Sequence, residues 1–265
     1  MINQNLHRQP VPLDRELHRG LKLALPVTDW SLAGGLSAVF VAAAEFADTC
    51  REFPVVFVRA GKEADGRDQI APVAVLGLQQ NENLFVQDGK WRALYMPAVL
   101  RIYPFCIGRM DADRFAVCVD MAWPGAQQTQ GPALFEADGQ PTALLNEMQQ
   151  HMETMEGEIQ RTRAVCARLL ELDVLRDMRF DATLPDGRKH SIDGFLTVDE
   201  NKMQNLPDDV VGDLHRNGLL GLIHLHWVSM GNMRKMVDWY AARSAGAPAD
   251  APAAVAANET ASPQA

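Results

Sequence analysis

The chain has 265 residues, 47% of them hydrophobic and 22% charged, the balance of an ordinary globular protein with a buried core. A formal net charge of −9 at pH 7 excludes the clustered cations by which nucleic acid or an anionic lipid surface is held non-specifically. The four cysteines, Cys50, Cys106, Cys118 and Cys166, stand far apart with no C-x-x-C pair; they read as small buried hydrophobes in a reducing compartment rather than as a disulfide framework.

Residues 1–10 are polar and contain no apolar run leading to a small-residue cleavage site. The longest apolar stretches, 32–44 and 219–230, fall short of the roughly 20 residues of a membrane span, and the second is interrupted by His224 and His226. The expectation is a cytoplasmic protein with no membrane span.

From 36 to 121 the pattern is that of strands. Val55-Val56-Phe57-Val58 follows a proline, 70–78 is β-branched and apolar, and 115–120 is a third such run. Asp88-Gly89, between Leu84-Phe85-Val86 and Lys90-Trp91-Arg92, predicts a hairpin whose two central residues take positive φ. The charged, glycine-bearing stretch 61–69 predicts a surface loop.

The period then changes. Leu145, Met148, Met152, Met155, Ile159, Cys166 and Leu169 recur at spacings of three and four with Thr162 in the one polar slot, predicting an amphipathic helix or a close helical pair broken at Gly157. The three methionines at helical spacing read as a core seam, with an adaptable binding groove as the alternative. Residues 174–182 and 188–198 predict two strands joined by Leu184-Pro185-Asp186-Gly187, where Pro presets φ and Gly takes the left-handed position. Leu206-Pro207-Asp208-Asp209 predicts a helix start with carboxylates in the first turn, Asn217-Gly218 its end, and 219–240 one last apolar helix. Residues 245–265, rich in Ala and Pro, carry too few bulky side chains to offset the entropy of ordering and predict a disordered tail. Strands first and helices later indicate an α+β fold, an antiparallel sheet from the N-terminal half packed on helices at 142–172 and 206–240 with the 174–198 hairpin added, in a single domain over 1–244.

The chemistry-bearing candidates are few. His224 and His226 would point about 200° apart on a helix and have no third ligand at a zinc-like spacing, so no metal site is expected. Asp199-Glu200 and Asp208-Asp209 with Asp213 are accounted for by caps and helix dipoles. No nucleotide, nucleophile-elbow or zinc-protease motif is present, and no cofactor is expected. The informative segment is 81–105, which gathers Glu82, Asn83, Trp91, Tyr95, Arg101 and Tyr103. Were it extended, Arg101, Tyr103 and Phe105 would share one face. Two readings follow: a small-molecule or peptide pocket around these six residues, or an aromatic core sealed by an ion pair of Arg101 with Glu82.

The blocks Asn83-Leu84-Phe85 and Pro97-x-x-x-Arg101-x-x-Pro104-Phe105 resemble the bacterial SapC-like family over about residues 13–239. Glu45-Phe46, Phe53-Pro54-Val55-Val56-Phe57, Leu134-Phe135-x-x-Asp138-Gly139 and Gly194-Phe195-x-x-Val198-Asp199-Glu200 add to the likeness. The resemblance supplies no catalytic residue. It implies a non-enzymatic accessory protein of a surface-layer export or outer-membrane uptake system, working through protein partners or as a homo-oligomer. Its alternative is a binding protein that assists a modification enzyme such as a flavin-dependent tryptophan halogenase-like partner.

Overall fold

The computed structural model describes residues 3–62, 66–109, 115–126, 129–183 and 189–244; the turn expected at 184–187 and the tail expected at 245–265 lie outside them. The architecture is α+β. Strands β1 (Pro10–Pro12), β7 (Phe105–Arg109) and β8 (Phe115–Asp120) form one antiparallel sheet in the order β1-β8-β7. Strands β2 (Ala38–Phe40), β3 (Val55–Lys62), β4 (Asp68–Val75), β9 (Leu175–Thr183) and β10 (Lys189–Val198) form a second, ordered β2-β4-β3-β10-β9. The late hairpin therefore extends the sheet begun in the N-terminal half. A short ribbon of β5 (Val86–Gln87) and β6 (Lys90–Trp91) turns at Asp88 and Gly89 with φ of 51° and 73°, the pair of positive values that the Asp-Gly dipeptide predicts.

Helices α1 (Phe46–Thr49) and α2 (Ala98–Arg101) are single turns, whereas α3 (Ala143–Glu171) runs for 29 residues. It starts at Thr142, whose hydroxyl accepts from the Leu145 amide. Its stripe of Leu145, Met152, Met155, Ile159, Cys166 and Leu169 is buried, and the helix packs on β4 of one sheet and β7 of the other. Met152 and Met155 of the methionine seam are thus core and Met148 is half-buried. Thr162 fills the polar slot without penalty, because its hydroxyl donates to Glu158 O and accepts from the Ala43 amide at 2.9 Å. Gly157 does not break the helix: it is exposed, and an interior glycine costs only about 1 kcal/mol against a long buried stripe.

Helices α4 (Glu200–Gln204), α5 (Asp208–Arg216), α6 (Leu219–Ser229) and α7 (Asn232–Ser244) complete the chain. The single helix expected at 219–240 is two, because Met230-Gly231 interrupts it and Asn232 spends its side-chain amide on the carbonyls of Cys50, Phe53 and Ser229. Asp199 caps α4 through the Lys202 amide, and Gly218, at φ 81°, ends α5. The loop expected at 61–69 is shorter than predicted, since β3 persists to Lys62 and β4 begins at Asp68, joined by an ion pair of those two side chains at 2.9 Å.

Candidate functional site

The 81–105 segment folds back repeatedly instead of running extended. Pro97 precedes the turn α2, Arg101 ends it, and β7 begins only at Phe105. Arg101, Tyr103 and Phe105 therefore do not share a strand face. Arg101 is exposed, with its guanidinium carbon 5.5 Å from the centroid of the Tyr95 ring. Glu82 does not meet it; its carboxylate accepts from the Leu78 amide at 3.2 Å and stands 3.9 Å from Arg243. Gly77 is required opposite it, because a Cβ there would lie 2.1 Å from Glu82 O.

The other four residues are committed to the scaffold. Asn83, 1% exposed, donates to Ala33 O at 3.0 Å and accepts from the Phe85 amide at 2.9 Å. Trp91 donates its indole N–H to Tyr95 O at 2.9 Å and stacks among Phe53 and Phe85. Tyr95 and Tyr103 each donate to a buried carboxylate, Glu45 at 2.7 Å and Asp120 at 2.9 Å. Burial first, and then the adjoining carboxylate, raises both phenols well above their ordinary range, so neither ionises near neutrality. The segment also seats α7. Arg243 donates to Asn83 O and Val86 O, Arg92 lies 3.8 Å over the Trp239 ring, and the Lys235 ammonium stands 5.5 Å from the Phe85 ring centroid while donating to Glu52 O outside the segment. Burial lowers the Lys235 pKa.

A cavity lies elsewhere, between the N-terminal half of α3 and the sheet β1-β8-β7. It has a volume of about 860 Å³. Ile107, Phe115 and Val117 line it from the sheet, Leu145 and Met152 from the helix, and Phe135 and Pro141 from the segment leading into α3. Asp14, Arg15, Gln149, Glu153 and Glu156 supply the polar lining. Phe115 is 44% exposed although it lines an apolar surface. Among the described lining residues the carboxylates outnumber the one guanidinium, and Arg15 leans 3.9 Å from Glu16. Backbone amides of Leu17 and Glu16 bond the Asp14 carboxyl and hold it below the usual carboxylate range, so it stays charged. Glu156 accepts from Gln160, while Glu153 makes no ion pair among the described residues. An apolar floor under a negative rim can hold an apolar body that ends in a cation.

A family model described as SapC matches residues 13–236. The chain belongs to the SapC family. No curated protein matches it, and no solved structure matches it. The SapC match spans the whole lining of the groove and all six residues of the 81–105 cluster, but β1 lies outside it. Across this SapC chain the two histidines diverge as their spacing predicts. His224 is exposed and bonds Leu220 O, while His226 is fully buried. Among the described residues no cluster of three or more His, Cys, Asp or Glu is placed to hold a metal.

Sequence reasoning missed the groove because its lining comes from four separated segments. The one available signal was the α3 stripe, whose N-terminal end carries Gln149, Glu153 and Glu156 beside Leu145 and Met152, one and two turns apart.

Proposed function

We propose that this SapC-family chain is a cytoplasmic binding protein that serves a cell-envelope export or outer-membrane uptake system, and that its groove between α3 and the sheet β1-β8-β7 receives a ligand with an apolar body and a cationic end. The observation that carries the reading is the groove's composition: a floor of Ile107, Val117, Leu145 and Met152 beneath Asp14, Glu153 and Glu156. Its volume of about 860 Å³ falls within the roughly 300–1,000 Å³ of small-molecule sites. Binding rather than catalysis is favoured because the tyrosines and carboxylates with the most buried contacts are spent on backbone and on one another.

The test is titration with octylammonium and, separately, octanoate, followed through methyl NMR signals of Met152 and Ile107. Saturable shifts with the cation alone, weakened in a Glu153→Gln/Glu156→Gln variant, support the reading. Equal response to both ions, or shifts confined to other methyls, overturns it.

A second reading keeps the contact at Arg101, in support of a modification enzyme such as a flavin-dependent tryptophan halogenase-like partner. It is favoured by the exposed guanidinium over Tyr95 and by Leu94, which is wholly exposed nearby. Arg101→Ala would then abolish association with such an enzyme while leaving octylammonium binding intact.

A further inference from the structure

Cys106 and Cys118 face each other across the β7–β8 ladder as partners on one rung. Rung partners project to the same face of a sheet. Their Cα atoms lie about 4.5–5.5 Å apart in an antiparallel pair, within the roughly 4.4–6.8 Å that a disulfide spans. Both are free thiols, 0% and 2% exposed. Gly108 leaves room for the Cys118 sulfur, since a Cβ at that position would stand 2.6 Å from Sγ.

The N-terminal segment joins the sheet beside this pair, with Pro12 of β1 opposite Cys118 and the residues before it bonded to Asp120. Asp120, two residues beyond Cys118 on the same strand face, accepts from the Gln9 amide at 2.8 Å, the Arg8 amide at 3.3 Å and the Tyr103 hydroxyl at 2.9 Å. The His7 ring packs 5.7 Å from the Tyr103 ring. Its Nδ1 accepts from the Asn3 amide, while its Nε2 is buried with no hydrogen-bond partner among the described residues. A buried polar atom left unsatisfied among the described residues is uncommon in a packed layer.

We propose that Cys106 and Cys118 are a redox-active dithiol that reduces hydrogen peroxide and closes into a cross-strand disulfide in the sheet β1-β8-β7. The Cys118 sulfur attacks one peroxide oxygen, the O–O bond breaks, and the departing hydroxide leaves as water with the thiol proton. The Cys106 sulfur then attacks the resulting sulfenic sulfur, the S–O bond breaks, and a second water leaves with the Cys106 proton. Two thiols and one peroxide become one disulfide and two waters, the two electrons coming from the sulfurs. Cys118 is taken as the attacking member because the neighbouring Cys106 thiol and the Gly108 amide act on its sulfur, whose own S–H leans 3.8 Å from Ala116 O. Together the thiol and the amide draw its pKa below the usual thiol range, and the pKa of Cys106 is pushed above it. Burial selects peroxide over a bulky disulfide oxidant, which cannot reach sulfurs that are 0% and 2% exposed.

Cys50 and Cys166 are internal controls, since burial raises both thiols, Cys166 to about 12. The folded full-length protein is exposed to hydrogen peroxide, quenched and peptide-mapped by mass spectrometry without reduction. A Cys106–Cys118 linked peptide should form on the order of tenfold faster than oxidation at Cys50 or Cys166. Glutathione disulfide should give little of it. In Cys106→Ser, intact-mass and peptide mapping should show one added oxygen at Cys118, and Gly108→Ala should slow closure by displacing the sulfur. Linkage that appears only after denaturation, or oxidation at Cys50 and Cys166 as fast as at this pair, overturns the proposal. The wild-type map decides even if a variant fails to fold.

Discussion

His226 donates from Nδ1 to the carbonyl of Val55, 2.7 Å away and 171 residues earlier in the chain. The tautomer follows from the other side of the ring, where Nε2 must accept because the Val198 amide points at it from 3.2 Å and the Thr197 hydroxyl from 2.8 Å. One imidazole thereby joins β3 to β10 at the place where those strands share a single rung, Leu196 with Phe57. Ser229, one turn on, accepts from the Val55 amide at 2.9 Å, and the Trp227 indole donates to Val198 O. Helix α6 closes the gap in the sheet with side chains where the ladder bonds run out.

The first prediction follows from the burial of that ring, which lowers the His226 pKa from 6.5 to about 4. A histidine with a folded pKa below its unfolded value stabilises fully above pH 6.5, and the stabilisation is lost as pH falls from there toward 4. The slope is about 1.4 kcal/mol per pH unit and the total about 3 kcal/mol. Urea midpoints measured between pH 7.5 and 4.5 should show the fall, and His226→Gln should flatten it at a lower overall stability. A variant with the wild-type slope would exclude His226 as the group responsible.

Glu45 supports a second prediction. Its carboxylate accepts from the Tyr95 hydroxyl, the Ala98 amide and the Ala42 amide at 2.7, 2.7 and 2.9 Å, and so fixes the start of α2 against the turn before α1. Glu45→Ala leaves those donors without an acceptor and should cost about 3 kcal/mol, whereas Tyr95→Phe, which removes one donor, should cost about 1 kcal/mol. Chemical denaturation of both variants checks the order. Equal losses would mean that the amide bonds carry nothing.

The third prediction separates two residues that sequence proximity grouped together. Asn83→Ala strands the Ala33 carbonyl and the Phe85 amide in the core and should destabilise by about 2 kcal/mol. Arg101→Ala removes only an exposed guanidinium from the Tyr95 face and should stay within about 1 kcal/mol of wild type. A loss of 3 kcal/mol or more at Arg101 would indicate a buried partner, contrary to its exposure.

Local signals carried far in this chain wherever the deciding interaction spans a few residues. Asp88-Gly89 specified its hairpin because few other dipeptides tolerate two positive φ values, and the Leu145-to-Leu169 stripe specified α3 because burial at a 3.6-residue period has one regular solution. Even there, Met230-Gly231 broke a helix that hydrophobicity alone would have continued, since Asn232 found three carbonyls that only the folded chain presents. The long-range partnerships could not be read in advance. Glu82 meets Arg243 rather than Arg101, Cys106 meets Cys118 through strand register, and the groove gathers Leu13, Ile107, Phe135 and Met152 from four segments. Composition and periodicity determined the strands, the helices and the α+β class, because each depends on neighbours along the chain. Tertiary structure alone decided which polar groups became scaffold and which surface stayed open, because a buried carboxylate, imidazole or amide is set by whichever donors the fold brings within about 3 Å.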